Sequence, residues 1–144
     1  MSESDLHRKL VKAILGEVSF RIGPGGLLFV DGPHDNSDGC PPTLGQLRPD
    51  VFARGRINSE VIIGEAKTAR DIDNGHTFAQ LSVYFHYLAN ERRGELWLSV
   101  PYEAVGMGHR VCRQIRRTSA QHDVPFVVFG WLFGRKLFSR ALRG

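Results

Sequence analysis

The run Val61-Ile62-Ile63-Gly64 leads straight into Glu65-Ala66-Lys67. Consecutive β-branched apolar residues favour an extended segment buried on both faces. Side chains alternate along a strand, so Glu65 and Lys67 share one face and Ala66 points to the other. Two opposite charges at the end of an apolar strand are costly to bury, and that cost asks for a function. A second carboxylate, Asp50, follows Pro49 at the start of the segment 49–54. If this segment pairs with 60–66 as a hairpin, Asp50 lands beside Glu65. Neighbouring carboxylates raise each other's proton affinity unless a cation lies between them. Hard oxygen donors of this kind select Mg²⁺ or Mn²⁺, and the Ala66 carbonyl offers a further oxygen. Such an ion polarises a phosphoryl oxygen, eases ionisation of an attacking water and steadies a leaving oxygen. The Lys67 amine would stabilise the negative charge that develops.

The elements that position these residues follow from periodicity. Leu6, Leu10 and Ile14 recur every fourth residue, which predicts a helix over 3–15. Ser2 and Asp5 resemble a capping box at its start. Residues 17–22 (EVSFRI) alternate and read as a strand, and Pro24-Gly25-Gly26 reads as a turn before a strand at 27–30. The stretch 31–47 is rich in Gly, Pro, Asp and Asn and reads as a long loop. Strands are expected at 49–54, 60–66, 95–100 and 125–133. A helix over 74–91 would bury Phe78, Leu81, Phe85 and Leu88. A second, over 103–119, would carry Arg110, Arg113 and Arg117 along one face, and the basic tail reads as a short helix. The order α-β-β-β-β-α-β-α-β implies an α/β class, a mixed β-sheet flanked by helices. The length, 144 residues, suits one domain over 1–144.

Arg48-Pro49-Asp50 with Glu65-Ala66-Lys67 resembles the PD-(D/E)xK signature of the restriction-endonuclease-like nuclease superfamily. The element order is similar to that superfamily's αβββαβ core. The resemblance covers residues 1–100 and extends to the final apolar strand. It implies a Mg²⁺- or Mn²⁺-dependent deoxyribonuclease with Asp50 and Glu65 on the metal and Lys67 beside the reacting phosphate. Gln80 and Tyr84, four residues apart on the next helix and opposite its Phe78/Leu81/Phe85 stripe, resemble the QxxxY motif of RecB-like and phage-exonuclease members. There the pair supports the metal site. Glu3, with Leu6, resembles the ExxL pattern of resolvase first helices, which would add a metal ligand; Glu17 is its rival. An acid in a first turn is also favoured by the helix dipole alone.

Charge is unevenly placed. Residues 1–103 hold 11 basic and 14 acidic side chains, whereas 104–144 hold eight basic and one acidic, Asp123. A basic third beside an acidic remainder suits a polyanion partner whose chemistry needs carboxylates. Arg110, Arg113, Arg117, Arg135 and Lys136 are the expected phosphate contacts on DNA, with Arg116, Arg140 and Arg143 nearby in the chain. RNA fits the same chemistry. Asp31, His34, Asp35, Asp38 and Cys40 match no ligand spacing and read as a solvated loop. Two distant cysteines and a polar N-terminus predict a cytoplasmic chain, prokaryotic or phage-encoded, without membrane contact. Specificity would come from the loop 31–47, from a homodimer, or from a partner protein; the apolar run VVFGWLF reads as core or as a dimer interface. The alternative is a catalytically silent nuclease-fold subunit that binds nucleic acid or regulates a larger complex.

Overall fold

The computed structural model describes residues 1–34, 37–119, 123–134 and 136–144. The expected contact Arg135 and the loop residue Asp35 lie outside them. Helix α1 spans Glu3–Ile22. The capping box is formed: Ser2 Oγ accepts from the Asp5 N–H, and the Asp5 carboxylate takes the Ser2 N–H. Residues 17–22, expected as a strand, continue this helix. Val18 extends the buried stripe Leu10, Ile14, Val18, while Phe20 is left 88% exposed. The helical period therefore outweighs the local alternation. Gly23, at φ 67, ends the helix in a left-handed conformation suited to glycine.

Strands β1 (Leu27–Val30), β2 (Val51–Arg54) and β3 (Val61–Ala66) form an antiparallel meander. A four-residue helix, α2 (Ala69–Ile72), follows β3 and was not signalled by the sequence pattern. Helix α3 (Gly75–Ala89) leads to β4 (Gly94–Pro101), parallel to β3. A 3₁₀ turn at Tyr102–Ala104 and helix α4 (Val105–Thr118) lead to β5 (Phe126–Leu132), parallel to β4. The chain ends in β6 (Phe138–Arg143), antiparallel to β5. The basic tail is thus a strand, not the expected helix; backbone pairing across the β5–β6 hairpin decides its conformation. The mixed sheet has the order β1-β2-β3-β4-β5-β6.

Helix α1 covers one face of the sheet through Leu10, Ile14 and Val18 against Val30, Ile62, Trp97 and Val127. Helices α3 and α4 cover the other, with Leu81, Phe85, Val111 and Ile115 against Ile63, Leu96, Leu98 and Val128. The run VVFGWLF belongs mostly to β5, hydrogen-bonded on both sides, and its buried residues are core. The β1 edge is covered by the following loop: the Asp38 N–H donates to the Leu28 carbonyl and the Val30 N–H to the Gly39 carbonyl. That leaves β6 as the open edge, with Arg140 and Arg143 on it, a charge pattern that discourages edge-to-edge association.

Ser99 ties α1 to the sheet. Its hydroxyl donates to the Leu10 carbonyl at 2.8 Å and accepts from Trp131 Nε1 at 2.9 Å. All three groups are buried, so Ser99→Ala leaves an indole N–H without an acceptor. The expected cost is about 1–3 kcal/mol in urea unfolding, with the slope of the transition unchanged.

Candidate functional site

Register brings the two carboxylates together. Val51 pairs with Gly64 across the β2–β3 ladder, so Asp50, one residue before β2, stands opposite Glu65. The Asp50 N–H donates to Glu65 Oε1 at 3.1 Å, and the Ala66 N–H donates to Asp50 Oδ2 at 2.8 Å. Each carboxylate is thus held by the other's strand. Lys67 is on the same side as Glu65, its Nζ 4.0 Å from Oε2. The cluster sits where β3 ends, at the sheet end from which α2 and α3 depart.

Helix α3 supplies the floor. Gln80 Nε2 donates to Glu65 Oε2 at 3.0 Å and to the Tyr84 hydroxyl at 3.2 Å. The pair is not opposite the apolar stripe, as expected from the sequence, but beside it. Tyr84 is fully buried within the core and Gln80 is 7% exposed. A helical step of 100° places positions 80 and 84 next to 81, 85 and 88, which explains the difference. Gln80 Oε1 is buried without a hydrogen-bond partner.

Helix α1 supplies the other wall, through a residue that sequence reasoning missed. His7 Nε2 lies 3.3 Å from Asp50 Oδ2, and the ring also meets the Ala66 backbone. The contact depends on where α1 crosses the sheet end; the one available signal was that His7 follows Glu3 by four residues on the same helix face. Glu3 itself is near the site but turned to the next loop. It accepts from Thr68 Oγ1 at 2.8 Å and lies 3.5 Å from Arg70. Through these contacts it ties α1 to the β3–α2 connection, and no hydrogen bond links it to Asp50 or Glu65. Glu17 is exposed about four turns further along α1.

The electrostatics follow from this packing. Glu65 is 3% exposed. Burial, then the neighbouring Asp50 charge, pushes its carboxyl well above the usual carboxylate range, and Lys67 offsets only part of that. The hydrogen bond to Asp50 raises the His7 imidazole against the opposing effect of partial burial. Burial and the Glu65 charge raise Tyr84, so its phenol stays neutral and keeps its proton to donate. The hydrogen bond from Thr68, with Arg70 beside it, lowers Glu3.

These residues fit a small divalent ion. The donors are hard oxygens from Asp50 and Glu65, the Ala66 carbonyl lies at the same strand end, and Gln80 Oε1 is a further unpartnered oxygen. Among the described residues no group of three His, Cys, Asp or Glu is gathered as a ligand set. Mg²⁺ commonly takes only one or two carboxylates and keeps waters, so two suffice.

The basic residues divide. Arg110, Arg113 and Arg117 line one shallow groove on the exposed face of α4, with Arg110 3.7 Å from Asp73. Lys136 is exposed in the β5–β6 connection, on a different element. Arg116 is structural: it donates to the Val124 carbonyl at 2.9 Å and lies over the Phe126 ring. Arg143 faces Glu95 at 3.5 Å, and Arg140 lies over Tyr102. Among the described residues no helix is long and apolar enough to cross a membrane. No family model, curated protein or solved structure matches the chain.

Proposed function

We propose that this chain is a Mg²⁺- or Mn²⁺-dependent nuclease that hydrolyses phosphodiester bonds in DNA on a restriction-endonuclease-like domain. One observation carries the reading: Asp50 and Glu65 are interlocked across the β2–β3 ladder, with Lys67 on the same side and Gln80 on Glu65 from behind. Asp50, Glu65 and the Ala66 carbonyl would hold the ion, and the ion would supply Lewis acidity toward a phosphoryl oxygen and an attacking water. Gln80 and Tyr84 orient the Glu65 carboxylate, which otherwise has no reason to remain charged in an apolar setting. Lys67 places its amine where negative charge accumulates as the phosphodiester opens. The α4 arginines hold the backbone without reading sequence. Selection then rests on substrate structure, on ends, or on delivery by a partner.

The test is cleavage of circular single-stranded DNA, linear duplex and a branched junction, with an RNA control, in Mg²⁺, Mn²⁺ or chelator. Product must appear only with metal and must scale with protein across a gel-filtration peak. A catalytically silent subunit would bind these substrates and leave all of them intact. Replacing Arg110, Arg113 and Arg117 by alanine should lower the salt slope of duplex binding by about 2.7, at ~0.9 per phosphate contact. Cleavage at low salt and saturating DNA should remain within about two-fold of the unaltered chain, because phosphate contacts position without reacting.

A further inference from the structure

We propose that a groove between α1 and the β5–β6 hairpin is a single-strand track, so that the substrate of the proposed nuclease is held as single-stranded DNA; this rests on the nuclease reading. The groove encloses about 660 Å³. Its floor is half-buried Phe133 and Leu137, which is 56% exposed, with Trp131 buried beneath them. Its α1 wall carries two exposed amines, Lys9 and Lys12, against one carboxylate, Glu17. Lys9 Nζ lies 5.8 Å from the Phe133 ring centre, a weak contact that it can exchange for a phosphate.

An apolar aromatic floor with an amine rim matches a ligand that has flat π-faces on one side and phosphates on the other. That is the chemistry of an unpaired nucleic-acid strand. A duplex hides its base faces and gains nothing from Phe133 or Leu137. The α4 groove, lined by three arginines with no Phe, Tyr or Trp, shows the contrasting composition of a backbone clamp. A second copy of this chain would bring amines toward amines, so a polyanion is favoured over self-association.

Location supports the same occupant. Strands β3, β4 and β5 are parallel, so Ala66 and Trp131 are at the same end of the sheet. Ala66 is level with Ser99 and Ser99 with Phe129, two residues short of Trp131. At ~4.8 Å between strands, β5 is about 10 Å across the sheet from β3. Trp131 and Ala66 are on the α1 face whereas Glu65 turns to α3, so a strand in the groove passes the end of the sheet to reach the carboxylates. Helix α1 joins the two places, since its first turns carry His7 toward Asp50 and Lys9 toward Phe133.

The experiment measures equilibrium binding in chelator, where no cutting occurs. The probes are a fluorescent oligodeoxythymidylate longer than the ~16 nucleotides of a single-strand site and a blunt duplex of equal length. Lys9→Ala/Lys12→Ala should lower the single-strand salt slope by about 1.4, at ~0.7 per phosphate contact. Phe133→Leu should weaken single-strand binding about ten-fold, the loss of one base stack. Leu137→Ser, at an exposed position, gives the same readout if Phe133→Leu unfolds. Duplex binding by all three should change by less than about two-fold, and should instead fall in the α4 triple-arginine variant. Unchanged single-strand binding by the groove variants overturns the proposal, as does equal loss on both probes. So does capture of an acidic amphipathic peptide in the groove without any single-strand binding. Intact single-strand binding with no metal-dependent cleavage would instead overturn the nuclease reading and leave the groove standing.

Discussion

Glu65→Ala is expected to slow Mn²⁺-dependent DNA cleavage by about a thousand-fold or more. A cation at a phosphoryl centre is worth several kcal/mol of charge stabilisation, and each ~1.4 kcal/mol is ten-fold in rate. Alanine removes one of the two carboxylates and also strips acceptors from the Asp50 N–H and Gln80 Nε2. That second effect destabilises the apo protein, so the informative variant is Glu65→Gln. Glutamine keeps an oxygen for the Asp50 N–H, and once the Gln80 amide turns over, its Oε1 accepts from the new amide N–H and from the Tyr84 hydroxyl. Its loss of cleavage should match that of alanine while its fold remains intact. Lys67→Ala should cost about 10²–10³ in rate, the usual loss when one donor to developing charge is removed. Equal cleavage by the unaltered chain and all three variants would assign the activity to a contaminant.

The position of the carboxylate cluster was legible because it depends on short-range rules. The run VIIG fixes β3, alternation places Glu65 with Lys67, and a hairpin of that interval sets Asp50 opposite Glu65. What was not legible depends on tertiary placement. His7 meets Asp50 only because α1 crosses the sheet at one angle. Residues 17–22 alternate as a strand would, and the longer helical stripe through Val18 prevails only when burial against Ile62 and Trp97 is counted. The tail FSRALR has no strand pattern in its charges; backbone pairing with β5 holds it extended while every residue stays exposed. Arg116 looked like its neighbours on α4, yet the Val124 carbonyl and the Phe126 ring claim it.

Metal-free protein should lose stability as pH rises from about 5 to 8, and Mn²⁺ should reverse that trend. Folding raises the Glu65 carboxyl above its usual 4.5, so its contribution is full below that value and is lost as pH climbs to the folded one. His7 acts in the same direction: its folded value is raised above 6.5, and its contribution disappears as pH passes through it. The exposed carboxyls Glu3 and Asp5 are shifted downward, so their effect falls at lower pH and outside this window. Glu65→Gln should flatten the lower part of the slope and raise the apo Tm near neutrality, and His7→Gln should flatten the part above about 6.5. An ion held by Asp50 and Glu65 needs Glu65 ionised and His7 released from its bond to Asp50. Its affinity therefore rises with pH as these protons leave. At a hundred-fold excess over Kd, a ligand of the folded state adds about 2.7 kcal/mol. For a domain of this size that is roughly 5–11 °C in Tm, larger at pH 8 than at pH 6. Differential scanning fluorimetry across that range, with Mn²⁺ or chelator, measures both trends at once. A Tm that ignores Mn²⁺ at pH 8, or a shift of equal size in Glu65→Gln, would mean that the paired carboxylates hold no ion and that Glu65 is buried for some other reason.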